Sequence, residues 1–254
     1  MTPMKFRSIL ERQGVVYDES VVFDAPIRGL LGSNPKLEKG LKGGYATAGL
    51  MLSPSDRSGL QTCPSASDRC RAVCLNKAGI GGIFKHGEDD NAVQQARRRK
   101  THWFFARRAE FMTQLDIELR AHVEKSLRQG FQPCARLNTL SDIRWESVLD
   151  DEGLTVFDRH EDIIFYDYTK HPNRDFSDYH LTFSLSESND SDARAALERG
   201  QNVAVVFHDV PDTFWGFPVI DGDESDLRFL DPEGVVVGLK AKGPAKQDKS
   251  GFVR

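Results

Sequence analysis

The chain has 254 residues, 39% hydrophobic and 28% charged. These proportions exclude collagen, coiled coil and wholesale disorder, and the length suffices for one sizeable core. Lys and Arg number 34 against 38 Asp and Glu, so a formal charge of −4 excludes a global basic field for nucleic acid but leaves room for a local patch. No apolar run approaches a membrane span, and the N-terminal MTPMKFRSILERQG lacks an apolar signal core. The expected location is a reducing cytoplasm, and the expected organisation is a single domain, 1–254.

Residues 1–44 are polar and Gly-punctuated, with a short helix expected near 5–13 and irregular structure after it. Tyr45–Leu52 (YATAGLML) is an apolar run of strand length. A cysteine loop, 61–76, follows it, and then the Gly-rich turn Gly79–Gly82. That turn lacks the Lys-Ser/Thr and the strand–turn–helix context of a phosphate loop. Asn91 to Gln129 contains no Pro or Gly. Phe104, Phe111, Leu115, Leu119, Val123 and Leu127 recur at helical spacing, which predicts two consecutive helices closed by Gly130.

Beyond Gly130, strand-like runs at Cys134–Leu140, Ile163–Tyr168, Tyr179–Leu185, Asn202–Phe207 and Val235–Leu239 alternate with helical or loop segments, Asp190–Arg199 being the clearest helix. Val219-Ile220 is a further short run. Such alternation predicts an α/β fold: a partial (β/α) barrel or parallel sheet, with the Cys-rich loop after the first strand and helices outside. Each run ends in polar residues: Ser141-Asp142, Thr169-Lys170-His171, Ser186-Glu187-Ser188-Asn189, His208-Asp209. In parallel α/β folds binding and catalysis gather at that end of the strands. Asp142 and Lys170 are therefore the candidate catalytic residues, although Asp142 also heads a sequence shaped like a helix capping box. Asn138, Ser141, Ser184, Ser186, Glu187 and Asn189 are the candidate ligand-binding set. The dense acids from Asp221 to Asp231 lack calcium-loop spacing and read as an exposed turn.

Cys63, Cys70 and Cys74 have the spacing C-x6-C-x3-C. An intracellular cluster of three thiols reads as a metal or iron–sulfur site. Three cysteines can hold three irons of a [4Fe–4S] cluster and leave the fourth open to a small ligand. Cys134 begins its strand, at the edge opposite the loop, and reads as a buried small hydrophobe. His86 and His102 are alternative fourth ligands. The best nucleic-acid candidate is the basic run Arg97, Arg98, Arg99, Lys100 and Arg107 with its interleaved aromatics. Its alternative is a helix face paired with Glu88, Asp89 and Glu110.

Several stretches together carry a resemblance: Asn34-Pro35-Lys36-Leu37, Thr62-Cys63-Pro64 with Cys70 and Cys74, Arg136-Leu137-Asn138 with Ser141-Asp142, Tyr166 to Lys170, LTFSLSESN at Leu181–Asn189, and the tail from Asp221. In this order they resemble the bacteriophage "gene product 88" family, and more distantly radical-SAM-like phage proteins. The second resemblance implies a [4Fe–4S] cluster on Cys63, Cys70 and Cys74, S-adenosylmethionine at the open iron, and a small-molecule or nucleotide-like substrate in the barrel mouth. The superfamily spacing is C-x3-C-x2-C, and this chain departs from it. A non-enzymatic metal-binding protein that holds nucleic acid or a host protein is the rival expectation.

Overall fold

The computed structural model describes residues 27, 29–77, 79–83, 91–174 and 177–254. The helix expected near 5–13, His86, Glu88 and Asp89 lie outside them.

The strands are β1 (Leu31–Gly32), β2 (Tyr45–Leu50), β3 (Gln132–Arg136), β4 (Ile164–Thr169), β5 (His180–Ser184), β6 (Val203–Phe207), β7 (Thr213–Phe214), β8 (Phe217–Asp221) and β9 (Val236–Lys240). They form one sheet in the order β1-β2-β3-β4-β5-β6-β9-β8-β7. Pairing is parallel from β2 through β6 to β9 and β8, and antiparallel only at the edges, β1 on β2 and β7 on β8. From β2 to β6 each strand joins its predecessor. Among the described residues β1 and β7 do not pair, so hydrogen bonding leaves the sheet open. Residues 31–43, expected to be irregular, contribute β1 and a 3-10 turn, Leu37–Gly43.

The helices are α1 (Asp68–Ala72), α2 (Ala92–Ala106), α3 (Arg108–Arg128), α4 (Val156–Arg159) and α5 (Asp190–Glu198). Asn91 caps α2, its side chain accepting the Gln94 N–H at 3.0 Å. The single helical run breaks at Arg107, where φ −135° and ψ 62° leave helical space. Phe104, at the elbow, meets Phe111 and Trp145 with ring centroids 5.2 Å apart in each case. α3 then buries Phe111, Met112, Leu115, Leu119 and Val123 at helical spacing. Leu127, expected on that face, is exposed instead, at the last position but one of the helix.

Alternation along the strands separates two layers. Ala135, Leu137 and Phe165 pack with α2 and α3, while Cys134 and Tyr166 form a separate cluster with Leu227. Phe183, Val203, Val205 and Phe207 pack with α5. Because β2 to β6 run parallel, the loop after β2 and the polar clusters after β3, β4, β5 and β6 share one edge of the sheet.

Gly82 shows why the Gly79–Gly82 turn is glycine-rich: a Cβ there would sit 2.2 Å from the Lys77 carbonyl oxygen. The Gly81 carbonyl accepts the Gln94 side-chain amide at 2.7 Å. The turn is thus braced against α2.

Candidate functional site

The cysteine loop is pinned to the strand ends at several points. The Asp142 N–H after β3 donates to Thr62 O at 2.8 Å. Ser65 Oγ lies 3.0 Å from His171 Nδ1, after β4. Glu187, after β5, accepts the Ser67 hydroxyl at 2.8 Å and contacts the Arg69 N–H at 3.4 Å. Ser67 in turn caps α1, taking the Cys70 N–H at 3.1 Å. Val73 and Cys70 pack on Ala245, Phe252 and Val253 of the C-terminal segment. Replacing Glu187 by Ala is expected to cost about 1 kcal/mol and to speed amide exchange at Cys70, since the cap loses its support. Hydrogen-exchange NMR reads both.

Cys63 is buried and Cys70 and Cys74 are half-buried, all three as free thiols. Burial pushes the Cys63 thiol up to about 11, against the lowering effect of the Ser55 N–H, which donates to Cys63 Sγ at 3.2 Å. Cys74 and Asp142 push it the same way as burial. Cys74 is also raised, by burial first and by Cys70, with partial offset from the Asn76 N–H, Arg57 and Lys170. Cys74 thus lies within electrostatic reach of Cys63, Cys70, Arg57 and Lys170, and Asp142 within reach of Cys63. Among the described residues, no three His, Cys, Asp or Glu side chains are grouped to hold a metal ion.

Cys134 belongs to a different layer. It sits in β3 opposite Thr47 of β2, packs on Tyr166 and Leu227, and is pushed up to about 12 by burial. His102 is buried with Nε2 2.9 Å from Ser58 O, bracing the loop from α2.

The other predicted residues have specific tasks. Asn138 Oδ1 accepts from Ser141 Oγ, the Ile143 N–H and Trp145 Nε1 at 2.8, 2.9 and 3.2 Å. Its amide donates to Ile143 O at 2.8 Å, so Asn138 and Ser141 build the turn after β3. Asp142 does not cap a helix: a 3-10 turn, Trp145–Ser147, follows Arg144. Its carboxylate instead accepts from Thr169 Oγ1, the Lys170 N–H and Arg174 Nη1 at 2.9, 2.8 and 3.2 Å. Asn189 accepts the Ser186 N–H at 2.7 Å and donates to Ser184 O at 3.0 Å, closing the turn before α5. Lys170 is half-buried beside the loop, its Nζ 5.8 Å from the Phe252 ring centroid.

Sequence reasoning missed a buried ion-pair chain. Asp226, expected in an exposed acidic turn, is fully buried, with Arg136 Nη1 at 2.8 Å and Lys36 Nζ at 3.1 Å. Arg136 Nε also donates to Asp167 Oδ1 at 3.1 Å. A cavity of about 270 Å³ lies away from this edge, between α3 and residues 150–160, lined by Asp116, Asp150, Arg159 and His160 among others.

The basic run on α2 is spent internally. Arg97 donates to Asn76 Oδ1 at 2.7 Å, Lys100 to Leu30 O at 2.8 Å, and Arg107 pairs with Glu110 at 3.5 Å. Arg98 and Arg99 are half-buried and also have partners. Through Arg97 and Lys100, α2 thus braces Asn76 at the end of the cysteine loop and Leu30 before β1.

The family model for gene product 88 matches residues 28–254. The chain belongs to the gene product 88 family. The match begins before β1 and takes in the cysteine loop, every strand and the C-terminal segment, so the site described above lies wholly within family sequence. The chain matches no curated protein and no solved structure. In this gene product 88 chain, no described helix is long and apolar enough to cross a membrane.

Proposed function

We propose that this chain is an iron–sulfur protein in which Cys63, Cys70 and Cys74 each bind one iron of a [4Fe–4S] cluster, and that it works as a radical-SAM-like enzyme. The observation that carries the reading is a single loop, pinned to the strand ends, that holds Cys63, buried, and Cys70 and Cys74, half-buried, as free thiols. A thiol pushed up to about 11 is protonated at neutral pH. A bound iron displaces that proton and supplies the missing positive charge. The Ser55 N–H on Cys63 Sγ is the kind of bond that tunes cluster thiolates.

Three local cysteines leave one iron for S-adenosylmethionine, and the pair supplies one-electron chemistry when bound. The protein's part is to orient the substrate and exclude water. Asn138, Ser141, Asp142 and Asn189 are committed to structural bonds. To Lys170, half-buried beside the loop with its charge reaching Cys74, we assign substrate contact.

The test is anaerobic purification with iron and sulfide analysis. About four irons per chain are expected. Cys63→Ser, Cys70→Ser and Cys74→Ser should each abolish retention, and Cys134→Ser should keep it. A reduced, reconstituted sample incubated with S-adenosylmethionine should release 5′-deoxyadenosine. Colourless protein with one bound zinc would favour the second reading, a metal-binding protein with a structural loop. The structural commitment of the strand-end polar residues favours that alternative.

A further inference from the structure

Charge in this chain is unevenly placed. Segments 53–77 and 240–254 together carry nine Lys and Arg against three Asp and no Glu, a surplus of six in a chain at −4 overall. The two segments are far apart in sequence but form one face. Val73 and Cys70 pack on Ala245, Phe252 and Val253, and the 3-10 turns Leu75–Lys77 and Gly243–Gln247 touch. The Arg69 charge reaches Asp248 and helps hold its carboxyl below the usual range. The basic residues of the two segments therefore share a face that includes part of the cysteine loop.

Most of this charge is uncommitted. Lys242 pairs with Asp223 at 2.6 Å, Arg71 lies 3.6 Å from Asp56, and Arg254 pairs with Asp190. Arg69, Lys77, Lys240, Lys246 and Lys249 are exposed and form no salt bridge among the described residues. Five cations without an ion-pair partner among the described residues, on segments that pack together, favour an anion joining them. The rest of the chain is strongly acidic, which would confine a polyanion to this face.

We propose that this face, formed by the cysteine loop and the C-terminal segment, is a docking surface for the phosphodiester backbone of nucleic acid. The choice over an anionic membrane follows from the apolar groups beneath the charges. Val73, Phe252 and Val253 are 9%, 8% and 6% exposed, and Leu75 is the single exposed large apolar side chain in these segments. An interfacial membrane site pairs its cations with an apolar face that inserts. A polyphosphate needs only spaced cations. The inference stands on charge placement and is independent of which metal the thiols hold.

The test is fluorescence anisotropy of the full chain with labelled single-stranded DNA, duplex DNA and RNA across a salt series. Binding to at least one should weaken linearly in log K against log salt. Lys246→Glu with Lys249→Glu should lower affinity about tenfold or more and flatten the salt slope by about one per contact removed. Arg69→Glu should act likewise, and Lys125→Glu on α3 should not. Circular dichroism checks that the variants fold, and iron analysis of the same samples separates this result from that of the cluster. Binding to phosphatidylserine vesicles but to no oligonucleotide would overturn the proposal. So would oligonucleotide binding that survives both sets of charge reversals.

Discussion

Replacing Arg136 by methionine is expected to destabilise the fold by about 3–5 kcal/mol, read as a lower urea midpoint with the slope unchanged. Arg136 is 5% exposed and bonds two carboxylates that have no exposure of their own, Asp167 and Asp226. Its guanidinium also lies 5.0 Å from the Tyr168 ring centroid. Removing it strands both acids. Asp226 keeps Lys36 at 3.1 Å. Burial raises Asp226, but Arg136 and Lys36 outweigh it and hold the carboxyl below its usual range. Asp167 is the weaker partner. Its remaining donors are neutral, the Asn138 N–H at 2.8 Å and the Tyr179 hydroxyl at 2.7 Å. Burial already holds Asp167 above the usual carboxylate range despite Arg136. A carboxyl raised on folding favours the native state at low pH and opposes it as pH rises through the raised value. The methionine variant raises Asp167 further, so its deficit should grow between acid and neutral pH. A deficit that shrinks over that interval would mean Asp167 is not the stranded group.

The elements that were legible in the sequence are those whose pattern is local. The apolar runs Ile163–Tyr168, Tyr179–Leu185 and Asn202–Phe207 became β4, β5 and β6, each end shifted by no more than one residue, and the run without Pro or Gly became α2 and α3. The parallel order then put the polar strand ends and the cysteine loop on one edge, as the alternation implied. What the sequence concealed depends on partners far along the chain. Asp226 sits among acids and looks like a solvated turn; Arg136, 90 residues away, and Lys36 make it a buried counter-ion. β1 and β7 are two residues each, too short for any periodicity. Asn138 has the chemistry of a ligand-binding group, and its fate is decided by Trp145 and Ser141 folding back onto its oxygen. The α2 basic run looked like a phosphate stripe because side-chain direction around a helix cannot be read without knowing that Asn76 and Leu30 lie against it.

The Asp142→Asn chain should lose about 2–3 kcal/mol while keeping the wild-type shape of the residue. Asp142 joins three pieces of the site: its N–H reaches Thr62 beside Cys63, and its carboxylate receives Thr169 and Lys170 at the end of β4. Arg174 Nη1 completes the set at 3.2 Å. An amide offers one acceptor and one donor group. If its oxygen faces the Lys170 N–H, its NH2 meets Thr169 and Arg174; if it turns, the NH2 meets Lys170. One donor is left facing another in either case. Arg174 keeps Glu146, whose oxygens lie 2.9 and 2.6 Å away, so the loss stays below that expected for Arg136. The backbone bond to Thr62 also survives, because it does not use the side chain. The variant therefore separates two roles for Asp142. As a positioning residue it should lose stability and show faster exchange of the Lys170 amide. As a group that meets substrate it should instead keep stability and lose turnover. The geometry requires the first outcome, and wild-type stability with a protected Lys170 amide would overturn it.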